Sequence, residues 1–241
     1  MNIIRIGLLI IVAVMVAEVA WILFSGSPVP VPNTPRAVQT IGAGKQLTYI
    51  VMGDSTAVSQ GSAYSDGYAV GTATYLAQKH AVTWANLAVS GAQAQDVLTQ
   101  QLPQALPYRP DVVLIGVCAN DVTHMTGIKD IRDALMGIIR ELQSANADVR
   151  IILTGAPDMG SLPRIPQPLR LIAGRRSESI NAMVLDLVDN QRVFFAPVAT
   201  KTGPVFRAHP ELFAADRFHP TAAGYSLWTP VLIEALQRAG L

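Results

Sequence analysis

The sequence predicts an α/β fold: a three-layer α/β/α sandwich around a five-stranded parallel sheet, preceded by an apolar N-terminal helix. Three observations carry this expectation. Residues 47–52, 83–88, 111–117, 149–154 and 193–197 are short runs rich in Val, Ile, Leu and Ala. Several are apolar throughout rather than alternating, as in strands covered on both faces. Helix-like stretches separate them at 67–79, 92–102, 128–145 and 170–190, and one at 222–239 closes the chain. Such alternation is the pattern of a parallel sheet with helices on both sides. Finally, small or polar clusters directly follow the first four strands, at 53–56, 89–92, 118–121 and 155–158. Open parallel sheets build their sites at those strand ends.

Composition sets the bounds. The chain has 241 residues, 50% hydrophobic and 15% charged, with a formal net charge of +1. That length holds one domain with a full core. The charge balance gives no reason to expect a nucleic-acid partner. Cys118 is the only cysteine, so neither an internal disulfide nor a cysteine-based zinc site is expected.

Residues 7–24, GLLIIVAVMVAEVAWILF, have about the minimum length of a bilayer span. Arg5 precedes them and the next cation is Arg36, a bias that places the N-terminus in the cytoplasm and the rest outside. Residues 1–24 therefore read as a transmembrane anchor or a signal segment. Glu18 is costly inside a span, and its apolar neighbours offset that. No good small-x-small cleavage site follows, which favours the uncleaved anchor over a secreted product. Residues 25–38, with alternating prolines, read as a polyproline-type stalk. The catalytic domain is expected over 39–241.

Four histidines are candidate bases: His80, His124, His209 and His219. His219 stands apart because Asp216 lies three residues before it, in DRFHP. A carboxylate so placed can hold the Nδ1 hydrogen and stabilise an imidazolium. Ser55 follows the first strand in IVMGDST and is the candidate nucleophile, inert until a base takes its proton. Developing negative charge needs donors. The Ser55 and Gly91 amides and the Asn120 side chain are candidates. His80 is expected to end a helix, His209 to lie in a loop, and His124 to be structural. Asp54 and Asp121 read as structural acceptors.

Gly53-Asp54-Ser55, Gly91, Asn120-Asp121 and Asp216-Arg217-Phe218-His219, in that order, resemble the blocks of the GDSL/SGNH hydrolase family. The resemblance spans the domain from about residue 47. It implies a flavodoxin-like SGNH fold and an esterase or lipase without a cofactor. It also implies Ser55 as nucleophile, His219 as base, Asp216 as its orienter, and Ser55, Gly91 and Asn120 as oxyanion hole. Substrates of the family include lipid esters, thioesters and acetylated sugars. The family's Gly-x-Asn-Asp block has Cys118 at its glycine position here, and Thr56 follows the serine where Leu is frequent. Cys118 is expected to pack as a small apolar thiol.

Two rivals use the same residues differently: acyl transfer to an alcohol, and a non-catalytic envelope-binding module. The GAGKQ stretch at 42–46 is no P-loop, since it lacks Ser or Thr after Lys45 and precedes a strand. The G-x-S-x-G elbow is absent too, with Ala57 at its last position. The proline- and arginine-bearing segment 159–176 is a candidate wall of the substrate cleft, its arginines expected to form a solvated face.

Overall fold

The computed structural model describes residues 3–24, 26–34 and 37–241. Helix α1 (Ile3–Phe24) and an extended strap lead to strand β1 (Gln39–Ile41). The sheet continues with β2 (Lys45–Gly53), β3 (His80–Asn86), β4 (Val112–Gly116), β5 (Arg150–Leu153) and β6 (Val193–Phe195). Helix α2 (Tyr68–Leu76) joins β2 to β3, and α3 (Ala94–Asp96) and α4 (Leu102–Ala105) lie between β3 and β4. They are followed by α5 (Ala119–Thr123), α6 (Ile128–Ala145), α7 (Leu169–Leu185), α8 (Val198–Ala208) and α9 (Ala222–Arg238).

The sheet has six strands, in the order β1-β3-β2-β4-β5-β6, not the expected five. The five expected strands are all present and mutually parallel. The sixth, β1, pairs antiparallel with β3, placing Gln39 opposite Trp84 and Ile41 opposite Val82. Its three residues, QTI, carry no apolar run, which is why the sequence pattern does not disclose it. Its position covers the edge that β3 would otherwise expose.

From β2 the chain steps outward to β3, then crosses to β4 on the other side. The direction reverses at β2, and a crevice opens outside the carboxyl ends of the strands at such a reversal. All five residues of β4 are buried, as are the last five of β2; Tyr49 is fully enclosed and its hydroxyl is 2.7 Å from that of Thr72. Helix α6 shows the matching periodicity, burying Ile131, Leu135, Ile138 and Leu142 at three- and four-residue steps. The core is thus packed on both faces of a rigid sheet, and the loops at its ends are fixed in place.

The 92–102 stretch is not one regular helix. It runs from α3 through a wider π-helical turn, Val97–Gln101, into α4. Helix α8 was not expected, because Pro204 lies inside it.

The expectation of an N-terminal transmembrane helix needs correction. Residues 3–24 are helical, but among the described residues no helix is long and apolar enough to cross a membrane. Arg5 and Glu18 leave only the 12 residues between them uncharged, against the about 20 that a span requires. The strap meets the domain instead. Ser27 N–H donates to the Ala215 carbonyl at 3.0 Å, and the Gln60 side chain donates to the Val29 carbonyl at 3.3 Å. The Arg217 guanidinium lies 5.4 Å above the Trp21 ring. Ser25, Pro35 and Arg36, within the expected stalk, lie outside the described residues.

These contacts predict that residues 1–34 stabilise the domain. Two hydrogen bonds and a cation–π contact contribute about 2 kcal/mol together. Deleting the segment is expected to lower Tm by about 4–8 °C at this chain size, read by differential scanning calorimetry. An unchanged Tm would contradict the docked arrangement.

Candidate active site

Ser55 sits in the tight turn that ends β2. Asp54 N–H bonds the Gly116 carbonyl at 2.9 Å, which pins the turn to the end of β4. Gly53 enters it at φ +148°, and a Cβ there would lie 2.0 Å from the Gly116 carbonyl oxygen. Only glycine fits so close an approach. Gln101, from the π-helical turn, clamps Gly53 on both sides: its Oε1 accepts from Gly53 N–H and its Nε2 donates to the Gly53 carbonyl, each at 2.8 Å.

His219 reaches Ser55 from the far end of the chain. Its Nε2 is 2.9 Å from Ser55 Oγ, and its Nδ1 is 2.5 Å from Asp216 Oδ2. Asp216 is itself held. Its Oδ1 accepts from the Phe218 and His219 main-chain N–H groups, each at 3.0 Å. A carboxylate capping the amides two and three residues onward is a local Asx-type turn, which gives the D-x-x-H spacing its physical meaning. The loop is closed by Ala214 N–H donating to the His219 carbonyl at 2.8 Å and by pairing of Phe213 with Pro220. Thr221 then caps α9. Burial raises the Asp216 pKa, but the bonds to His219 outweigh it, and the carboxyl ends below its ordinary value.

Three donors lie at the strand ends. Among the described residues the Ser55 and Gly91 amides have no acceptor. Gly91 adopts φ +87°, and a Cβ there would meet nothing within 4 Å. The backbone conformation, not crowding, calls for glycine there. Asn120 Nδ2 donates to the Ala92 carbonyl at 3.0 Å, and an amide nitrogen carries a second hydrogen besides the one so used. The loops are laced together. Asp121 Oδ2 accepts from Ala94 N–H at 3.1 Å, and Asp54 accepts from Thr56 N–H, the Thr56 hydroxyl and Ala119 N–H. Asp54 and Asp121 are therefore acceptors that hold one strand-end loop to the next.

Cys118 is the residue before α5, buried, at φ +98°. A side chain there is strained where glycine would not be. Burial first, then Asp121 and Asp54, push its thiol well above the ordinary range, so it is an inert packing group.

The other histidines lie apart from the serine. His80 Nδ1 is 3.2 Å from the Leu76 carbonyl at the end of α2, and His209 pairs with Glu211 at 2.9 Å. His124 Nδ1 is 2.8 Å from the Asn120 carbonyl, which caps α5. Segment 159–176 does border the site. Its arginines are less solvated than expected, since Arg164, Arg170 and Arg176 donate to main-chain carbonyls. The Gln101 clamp has no signal in the sequence, being a polar residue in an irregular helix. Among the described residues no group of His, Cys, Asp or Glu could hold a metal ion.

Fold and site together are of the serine-hydrolase kind. Residues 51–227 match the GDSL-like lipase/acylhydrolase family, and the chain belongs to it. A GDSL-like esterase of Mycobacterium tuberculosis is 32% identical over 195 residues, covering 79% of this chain and 62% of the relative. The chain thus spans less than two thirds of that relative's length. Among solved structures, a lipase from a goat rumen metagenome aligns with a TM-score of 0.65 at 17% identity, over 78% of this chain and 97% of that one. An acetylxylan esterase from Geobacillus stearothermophilus aligns at 0.62 and 18% identity, over 83% and 97%. At such identities these likenesses establish the fold.

Two measurements probe the site without substrate. Burial pushes the Asp54 carboxyl up to about 6, above its unfolded value. The folded state therefore keeps that proton longer, and stability from this group falls as pH rises from about 4 to 6. In Asp54→Asn this loss disappears, so urea unfolding is expected to show the variant gaining up to about 3 kcal/mol on wild type between pH 4 and pH 7. A constant difference would refute it. Separately, Cys118 is expected to resist Ellman's reagent in the native protein and to react at once in urea.

Proposed function

We propose that this chain is a serine esterase that hydrolyses a carboxylic ester through an acyl-enzyme. The observation that carries the reading is the continuous series of Ser55 Oγ, His219 and Asp216, with contacts of 2.9 and 2.5 Å. His219 Nε2 takes the Ser55 proton as Oγ attacks the acyl carbonyl. Asp216 holds the ring by Nδ1 and stabilises the imidazolium. The tetrahedral oxyanion rests on the Ser55 and Gly91 amides and the Asn120 side chain. Its collapse expels the alkoxide, which takes the proton from His219. Water then attacks the acyl-enzyme with His219 as base again, releasing the acid and restoring Ser55. No cofactor enters these steps. Family membership and the esterase name of the mycobacterial relative support the same reading.

We also infer an extracytoplasmic site of action. The support is in the sequence: a basic residue, Arg5, directly ahead of the apolar run 7–24 has the form of an export segment. Fractionation of cells producing the full chain tests it, and recovery in the cytosol would contradict it.

Hydrolysis of p-nitrophenyl acetate and butyrate by the full chain tests the chemistry. Ser55→Ala is expected to lose about a thousandfold or more in kcat/KM, and Asn120→Ala about a hundredfold in kcat. Equal rates in wild type and Ser55→Ala, with both folded, would overturn the mechanism.

A further inference from the structure

An open cleft of about 520 Å³ adjoins the base, within the range of small-molecule sites. One wall comes from α5 and the turn after it, through Val122 and Met125; the other comes from Ile165 in the loop before α7 and from Leu169 and Ile172 in its first turn. Phe218 and His219 close its inner end. The cleft therefore borders the imidazole whose Nε2 lies 2.9 Å from Ser55 Oγ.

Few polar side chains line it, and each makes a hydrogen bond within the protein. The Thr123 hydroxyl donates to the Asn120 carbonyl at 3.1 Å, and Arg164 donates to the Asp216 carbonyl at 3.4 Å. A substrate bearing sugar hydroxyls would bury polar groups against Leu, Ile and Met side chains, and unpartnered burial is costly. A hydrocarbon chain would lose nothing. At the mouth Met125 is 61% exposed and Ile172 48%. Exposed apolar side chains around a cleft mark a surface that apolar ligands cover.

Building on the esterase reading above, we propose that this cleft seats a hydrocarbon chain of the ester, so that the substrates are lipid-like esters rather than acetylated sugars. The chain can be the acyl group or the alcohol. Seating each methylene raises the preference for the longer ester by up to about fourfold.

The test compares kcat/KM along two arms, p-nitrophenyl acetate against octanoate and ethyl acetate against octyl acetate, for wild type and Ile172→Trp, which fills the cleft. In wild type the ratio of long to short is expected to exceed tenfold in one arm, which identifies the chain that is seated. In Ile172→Trp that ratio is expected to fall at least tenfold. A wild-type ratio near one in both arms, or a ratio unmoved by Ile172→Trp, would overturn the proposal while leaving the esterase reading intact. Leu169→Ser, which opens and polarises the same wall, guards against a tryptophan variant that does not fold and is expected to lower the ratio likewise. Titration of Ser55→Ala with intact p-nitrophenyl octanoate and acetate separates the cleft from the chemistry. Tenfold tighter binding of the octanoate supports the cleft even where no ester is turned over, and equal binding refutes it.

Discussion

The site rests on one carboxylate. Asp216 accepts two main-chain N–H groups through one oxygen and the His219 ring through the other. These bonds shape the turn, fix the ring and place a negative charge behind it. The series of contacts then ends on Ser55, at the end of the second strand. Remove the carboxylate, and the turn loses the acceptor of its two main-chain N–H groups and the imidazole its orientation together. The pull of His219 on Asp216, strong enough to overcome burial, is the electrostatic side of the same interaction.

The remaining geometry follows from the sheet. Ser55, Gly91 and Asn120 follow β2, β3 and β4, which are neighbours in space because the chain reverses at β2. The loops are then tied to one another by side chains, Asp54 to Ala119, Asn120 to Ala92 and Asp121 to Ala94. Such ties hold donors and nucleophile at fixed separations, which is what preorganised charge stabilisation needs. They also carry a cost, since Asp54 is a buried carboxylate and Cys118 holds a backbone conformation that glycine adopts freely.

Much of this was legible in the residues. Five parallel strands and the span of α6, Ile128–Ala145, follow from apolar periodicity, which is strong where an element is long and buried. Asp216 and His219 were legible through local spacing, because the D-x-x-H turn is a short-range structure, and Ser55 through its place directly after the first apolar strand. What escaped depended on distant partners. β1 exists only because β3 offers it an edge, and the Gln101 clamp joins residues 48 apart in sequence. Helix α8 carries Pro204 in its interior against propensity, and tertiary packing overrides such local signals. The N-terminal run reads as a bilayer span from its apolar composition, with Arg5 ahead of it and Glu18 within it, while in the structure the helix and the strap after it make contacts with the domain.

The account stands most directly on the nucleophilicity that His219 and Asp216 confer on one serine. Incubation with an ethyl p-nitrophenyl alkylphosphonate, followed by peptide mass spectrometry, reads that property by covalent capture. The account predicts a single phosphonyl adduct, on Ser55, with one equivalent of p-nitrophenol released per protein. A folded protein that forms no adduct, or forms one on another residue, would contradict it.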